Sequence, residues 1–453
     1  MAKLLVFFDT AKFLSLLFRF YLVFCQELLI FAPDFSKKTM NIAFDFPWWC
    51  IVLAITFLIA WLVQLVLQLV VWQRPLRHLR SQNKQTVLDS DQNMCTEKNT
   101  CPGVSVIVYA HNQGEALVRN LPVLLSQNYP AYEVIVLDDT SRDETPDVLT
   151  MMDQRYEHLF HTRIDDRVRT MSHRKLAVLL GTKAAHYELI LMTQAQCLPA
   201  SDEWLRNMVS HFQTPATEVV LGPVAYERRS SFLSRFAQYD LFHRMVRMFG
   251  LTLAVKPFSG WGQNMAFRKS TFYANGSQGY QRHLNIQPGE DDLFVSDVAH
   301  GNNVVVESRA DSMMTDQTSP LFLGWSMDRL NRGYTSRLYT QAPKIVKALD
   351  DLTRYLTMLP GLVLMCYALV LALNGADTQL LGWEAFGVVV AMLLIRAVLM
   401  VYSEAAMAKA LHVRKFIAWP LFTDLYMPLV DIWFRIKAVL MRKSFGVGYI
   451  GLK

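Results

Sequence analysis

The sequence predicts an α/β domain with a mostly parallel sheet, flanked by transmembrane and interfacial helices. Three observations predict it. Apolar runs too long for a soluble core lie on both sides of a polar middle. That middle alternates short β-branched runs with segments of helical spacing, and basic residues cluster at the ends of the apolar runs, where they orient a membrane protein.

The first run, "CIVLAITFLIAWLVQLVLQLVVW" from Cys50 to Trp72, has no charge, and Gln64 and Gln68 are its most polar members. About 23 helical residues at 1.5 Å each cover roughly 35 Å, enough for a bilayer core. A second uncharged run, Tyr355 to Leu373, contains the helix-bending Pro360. A third, Leu380 to Tyr402, holds Glu384 near its start and Arg396 inside; Arg396 should face protein or reach an interface. "WPLFTDLYMPLVDIWFRIKAVLM", Trp419 to Met441, carries Asp424, Asp431, Arg435 and Lys437 and reads as an amphipathic interfacial helix. Near the start, Phe13 to Phe31 has apolar length but contains Arg19 and Glu27, so a span, an interfacial helix and initiation at Met40 all stay open. It lacks a small-residue cleavage site, which argues against a cleaved signal peptide.

Arg74, Arg77 and Arg80 follow the first strong span, and Lys409, Arg414 and Lys415 follow the last, which puts the middle on the cytoplasmic side. The expected layout is an N-terminal apolar segment at 1–45, a span at 46–73, a linker at 74–100, and the α/β domain at 101–340. A C-terminal membrane region, 341–453, holds two spans and the amphipathic helix.

Within the middle, "VSVIVY" (Val104 to Tyr109), "EVIVL" (Glu133 to Leu137) and "ELILMT" read as strands, separated by helical stretches. A β-α-β-α-β order places a binding site at the carboxyl ends of the strands. No GxGxxG follows the first strand and no GxxxxGK[ST] occurs, which disfavours a dinucleotide oxidoreductase or P-loop ATPase. The six cysteines, at 25, 50, 95, 101, 197 and 366, form no CxxC pair, so neither a zinc site nor a disulfide framework is indicated. The net charge of +6 suits a membrane surface without requiring nucleic acid.

Three fragments then occur in order: "VSVIVYAHNQGEALVRNLPVLLSQNYPAYEVIVLDDTSRDET", "SHRKLAVLLGTKAAHYELILMTQAQCLPASDEWL", and "GQNMAFRKSTFY" followed by "HLNIQPGEDDLFV". Together they resemble family 2 glycosyltransferases of the GT-A fold, most closely bacterial membrane-bound members. The resemblance covers roughly residues 100 to 340 plus the membrane layout. It implies an inverting transferase in the bacterial inner (cytoplasmic) membrane, multi-pass, with a cytoplasmic catalytic domain. Its partners would be a nucleotide-sugar donor, a lipid-linked or membrane-proximal acceptor and the bilayer, with room for protein partners in the membrane.

The resemblance also implies roles for particular residues. Asp138 and Asp139 end a strand and would meet the nucleotide, or cap the following turn. His111 and Asn112, in the loop after the first strand, would line the same pocket or close the turn. Lys175, in "SHRK", matches a donor-site helix start and would meet phosphate. In "PGEDDLFV", Asp291 would be the general base, with Glu290 and Asp292 supporting it; acids at a helix start also complement its dipole. In "FLGWSMDRLNRGY", Phe322 to Tyr334, the implied clamp on acceptor or diphosphate is Trp325, Arg329 and Arg332. An amphipathic helix resting on the membrane would use those residues too.

Gln194-Ala195-Gln196 stands where relatives place Asp-x-Asp or Glu-Ala-Asp to hold Mg²⁺ or Mn²⁺. Hard divalent cations prefer anionic oxygen, and an amide carbonyl carries no charge. Mg²⁺ and Mn²⁺ are thus disfavoured, no metal ligand is assigned, and Gln194 and Gln196 are expected to hydrogen-bond the donor. Two outcomes follow: transfer without the usual metal, or an inactive scaffold or regulatory subunit of an envelope-assembly complex.

Overall fold

The computed structural model describes residues 47–89, 101–165, 172–281, 283–284, 286–318, 322–374, 379–414, 416 and 419–441. The apolar segment at 1–45, with Met40 and Cys25, lies outside the described residues, as does Cys95. In chain order the elements begin with α1 (Trp48–Leu67), a π-helical turn (Gln68–Trp72) and α2 (Arg74–Asp89). Then follow β1 (Val104–Ala110), α3 (Gly114–Leu124), β2 (Tyr132–Asp138), α4 (Thr145–Asp153), β3 (Leu159–Arg163), α5 (His173–Ala184) and β4 (Leu189–Gln194). Next are β5 (Cys197–Pro199), α6 (Trp204–Ser210), β6 (Val219–Leu221), β7 (Val224–Tyr226), α7 (Phe232–Ala254), β8 (Met265–Arg268) and α8 (Lys269–Gln281). The chain ends with α9 (Asp292–Val298), β9 (Val304–Val306), β10 (Met314–Asp316), α10 (Phe322–Thr335), α11 (Gln341–Asn374), α12 (Gln379–Ala410) and α13 (Trp419–Leu440).

By contacts the chain divides into two compact units. The smaller combines residues up to Trp61 with Tyr355–Leu394. There Trp61 Nε1 donates to the Met392 carbonyl at 2.8 Å, and Trp49 meets the Tyr367 ring edge-on. A Cβ on Gly382 would lie 2.4 Å from the Ala372 nitrogen, so α11 and α12 cross at a distance only glycine permits. Ile51, Val52, Ile55, Leu58 and Ile59 of α1 remain exposed.

The larger unit, Leu62–Arg354 with Ile395–Lys453, contains the sheets. Seven of its strands form one sheet in the order β3-β2-β1-β4-β8-β6-β9. β3, β2, β1 and β4 run parallel, β8 is antiparallel to both β4 and β6, and β9 is parallel to β6. This is the mostly parallel, Rossmann-like α/β arrangement of the GT-A type. Successive residues of β1 and β2 divide between two apolar layers: Val106, Val108, Val134 and Val136 on one side, Ile107, Ile135 and Leu137 on the other. A sheet buried on both faces explains why these strands read as continuous apolar runs. The chain steps outward from β1 through β2 to β3, then crosses to β4 on the other side of β1. The crevice at such a switch point opens at the strands' carboxyl ends. A smaller sheet, β5-β10-β7, sets Asp316 opposite Cys197.

Two expectations need correction here. The presumed linker is helical to Asp89: Leu76 and Leu79 are buried, and His78 and Gln82 both bond the Val306 carbonyl at the end of β9. Its polar composition hid a docked helix. The two acids of α13 also do not face water. Asp424 bonds Arg396 at 2.6 Å, and Asp431 bonds Lys347 at 2.6 Å, whereas Phe422, Trp433 and Ile436 point outward. Arg396 faces protein, as expected, with Gln64 as its other partner at 3.1 Å.

Three helical stretches among the described residues are long and apolar enough to cross a membrane: Trp48–Lys84, Gln341–Leu373 and Gln379–Ala410.

Candidate active site

The first wall of the site is built by the ends of β1 and β2. Both Asn112 and Thr140 adopt a φ of 52°, which turns their loops back toward each other. Asp138 is spent on its own turn: Oδ1 accepts the Ser141 N–H at 3.1 Å, and Arg163 lies 3.8 Å from Oδ2. Of the two readings for this residue, the geometry favours capping. Asp139 lies one residue further on, at the crevice. It accepts the Tyr109 hydroxyl at 2.5 Å and lies 2.5 Å from His173 Nδ1, while His111 Nδ1 contacts its carbonyl oxygen. Burial, then the Asp139 carboxylate, pushes the Tyr109 hydroxyl well above its ordinary range, so it stays a donor. Asn112 closes the turn, accepting the Arg142 N–H at 2.8 Å.

The glutamines end β4 in the same crevice. Gln196 Nε2 donates to Gln194 Oε1 at 2.5 Å, and the Asp316 carboxylate lies beside Gln196. Asp316 accepts in addition from Gln263 Nε2 at 2.5 Å and from the Thr318 hydroxyl at 2.6 Å. Burial raises its pKa. The strand ends therefore carry a pair of bonded amides beside one buried, hydrogen-bonded acid. Among the described residues, no three His, Cys, Asp or Glu converge as a metal site would need. This donor set does not fit a hard divalent cation.

Opposite stands the acidic loop. Gly289, at φ 101°, makes the turn into it, and a Cβ there would meet Leu293 at 2.4 Å. The structure separates the three adjacent acids. Glu290 pairs with Arg174 at 3.4 Å. Asp291 caps α9: Oδ1 accepts the Asp292 N–H at 2.7 Å, and Oδ2 accepts the Gly262 N–H at 2.9 Å and Arg332 Nη2 at 3.3 Å. A carboxylate offers about four lone-pair directions, so one remains for a ligand. The Asp291 side chain keeps 15% of its surface exposed.

Asp292 turns inward, accepting the Thr335 and Tyr339 hydroxyls at 2.5 Å each. Burial and then the neighbouring Asp291 push its pKa up to about 6 from an ordinary 3.8. Because the folded value is the higher, the native chain holds the extra proton between those limits. Ionising Asp292 thus removes stability as pH rises through that window, by about 3 kcal/mol at most. Unfolding titrations from pH 4 to 7 should show this slope in the wild type and not in Asp292→Asn.

Arg332 does reach the site. Its guanidinium stacks on Trp261 at 3.6 Å and bonds Asp328 at 3.4 Å besides Asp291. Trp325 and Arg329 do not, which corrects the expected clamp. They point from α10 to the buried Asp240 of α7, Trp325 Nε1 at 2.8 Å and Arg329 Nε at 3.0 Å, and Arg329 also pairs with Asp431. Both are committed to helix packing, Trp325 about two turns and Arg329 about one turn before Arg332.

Lys175 is displaced from its expected role as well. It is buried, and its Nζ donates to the His283 and Ile286 carbonyls at 2.6 and 2.9 Å, holding the approach to the acidic loop. Burial lowers its pKa to about 8. An ammonium filled by two carbonyls has little left for phosphate.

Several site residues were not assigned from the sequence: Tyr109, Arg174, Gly262, Gln263 and Asp316. The "WGQN" stretch, Trp261 to Asn264, was the available signal for two of them. Nothing local marks Asp316, on a three-residue strand. The two walls of the site are joined: the Arg174 guanidinium lies 5.3 Å from the Tyr109 ring and 3.4 Å from Glu290.

The chain is similar to known glycosyltransferases over part of its length. Residues 105–275 match the family model for Glycosyl transferase family 2. The chain is 27% identical over 149 residues to glycosyltransferase AglE of Haloferax volcanii, covering 32% of this chain and 47% of that protein. It is 23% identical over 140 residues to poly-beta-1,6-N-acetyl-D-glucosamine synthase of Staphylococcus epidermidis, covering 31% of this chain and 33% of that one. The chain thus spans half or less of the curated relatives it matches. Among solved structures, a mannosyltransferase from Pyrobaculum calidifontis in complex with GDP-Man and Mn²⁺ aligns at 17% identity and a TM-score of 0.40, over 78% of this chain and 99% of that one. Residues 1–349 of S. aureus TarS align at 16% identity and 0.37, over 71% and 91%. On that family match, residues 105–275 of this chain form a domain of the Glycosyl transferase family 2 type.

Proposed function

We propose that this chain is a membrane-anchored, inverting glycosyltransferase that moves a sugar from a nucleotide donor to a lipid-linked or membrane-proximal acceptor in envelope glycan synthesis. The observation that carries the reading is Asp291, fixed by three donors with one lone-pair direction open, across the crevice from Asp139. Asp291 would take the acceptor hydroxyl's proton as that oxygen attacks the anomeric carbon. Asp139, with Tyr109 and His173 around it, would receive the nucleotide. Gln194 and Gln196 would offer amide donors to the sugar or phosphates, and no step runs through a metal. Lys175 acts here as a positioning residue for the loop before Glu290.

The membrane part of the reading rests on the three apolar helices and on α13, whose outward face is apolar. A multi-pass inner-membrane protein with its α/β domain in the cytoplasm accounts for both. The amide substitution favours a second reading, an inactive scaffold in an envelope-assembly complex. Calorimetric titration of the full chain in detergent with UDP and GDP, in EDTA, separates them from the start. Binding of one nucleotide, with EDTA-resistant turnover of its sugar conjugates, is expected; binding of neither would remove the transferase reading.

A further inference from the structure

Transfer leaves one electrostatic demand that the amides do not meet. The acceptor oxygen loses its proton to Asp291 and bonds the anomeric carbon. The bond from that carbon to the β-phosphate oxygen breaks, and its electron pair stays on the departing diphosphate, which gains a negative charge. We propose that the Arg174 guanidinium, held between Tyr109 and Glu290, is the cation that stabilises the departing diphosphate. This rests on the transferase reading above and deepens it.

Position is the first argument. Arg174 lies in the first turn of α5, a 12-residue helix whose amino end carries partial positive charge toward the crevice. It contacts the nucleotide wall through the Tyr109 ring and the catalytic wall through Glu290, so a diphosphate lying between Asp139 and Asp291 would meet it.

The second argument is availability. The Arg174 side chain is 53% exposed, and its partner in the acidic loop is a single Glu290 oxygen at 3.4 Å. The other cations near the site are committed. Lys175 is buried on two carbonyls, and Arg332 is stacked on Trp261 and bonded to Asp291 and Asp328. Arg329 is enclosed by Asp240 and Asp431. A guanidinium can also bind phosphate oxygens through two parallel N–H donors, replacing charge the strand-end amides lack. Glu290 becomes the group that holds this side chain in the crevice before the nucleotide arrives.

The test compares diphosphate with monophosphate binding, which needs no acceptor. The full-length wild type, Arg174→Ala and Arg174→Lys are titrated in EDTA with UDP, UMP, GDP and GMP. The wild type should prefer the diphosphate of one base by about tenfold or more, as expected for one charge-assisted contact. Arg174→Ala should lose that preference while its monophosphate affinity stays within about twofold. Arg174→Lys should keep part of it. If Arg174→Ala keeps the full preference, the proposal fails while the transferase reading stands. If the wild type binds no nucleotide, both fall. Because the side chain is half exposed, the variants should fold normally, and unchanged unfolding midpoints would check this.

Discussion

Asp291→Asn is expected to lower the kcat of sugar transfer by about 10²–10⁴-fold, the range for loss of a positioned general base. Donor affinity should change little, because in the proposed reading Asp291 meets the acceptor while Asp139 and Arg174 meet the nucleotide. The loss has two structural sources. An amide cannot take the hydroxyl proton at neutral pH. Its nitrogen would also oppose either the Asp292 N–H or the Gly262 N–H and Arg332, donors that now meet a carboxylate. The measurement is steady-state transfer beside UDP or GDP titration. A rate within about tenfold of wild type, with binding intact, would take the base role away from Asp291.

The second large effect concerns stability. Asp240 is fully buried and serves Arg329, Trp325 Nε1 and Arg244, the last at 3.2 Å. Asp240→Ala would leave one buried guanidinium with half its countercharge and an indole N–H with no acceptor. Removing one partner of a buried pair costs about 3–5 kcal/mol. A marked fall in the detergent unfolding midpoint is expected, far larger than for Asp328→Ala, whose side chain is 31% exposed. Equal, small effects from both would show that α10 is held mainly by its apolar contacts to Phe236 and Phe434.

Much of this was legible in the sequence because its signals are local. The parallel strands are continuous β-branched runs, and the Asp138-Asp139 pair and the Glu290-Asp291-Asp292 triplet sit at element ends where acids recur for capping and chemistry alike. What stayed hidden depends on partners far away in the chain. Lys175 looks like a phosphate ligand until the carbonyls of His283 and Ile286 surround it. Trp325 and Arg329 look like a clamp until Asp240, from α7, takes both. Asp316 sits on a strand too short to show periodicity, and α2 has too few apolar residues to stand out from a linker.

Alternating charges run from Asp291 through Arg332, Asp328, Arg244, Asp240, Arg329 and Asp431 to Lys347. The last two members, Asp431 and Lys347, lie beyond residue 340. A chain truncated there, the natural choice for making a soluble fragment, would strip Arg329 of one carboxylate and uncover the Trp325 ring against which Phe434 packs. The α/β domain therefore leans on the C-terminal helix, which closes the series of ion pairs that begins at Asp291.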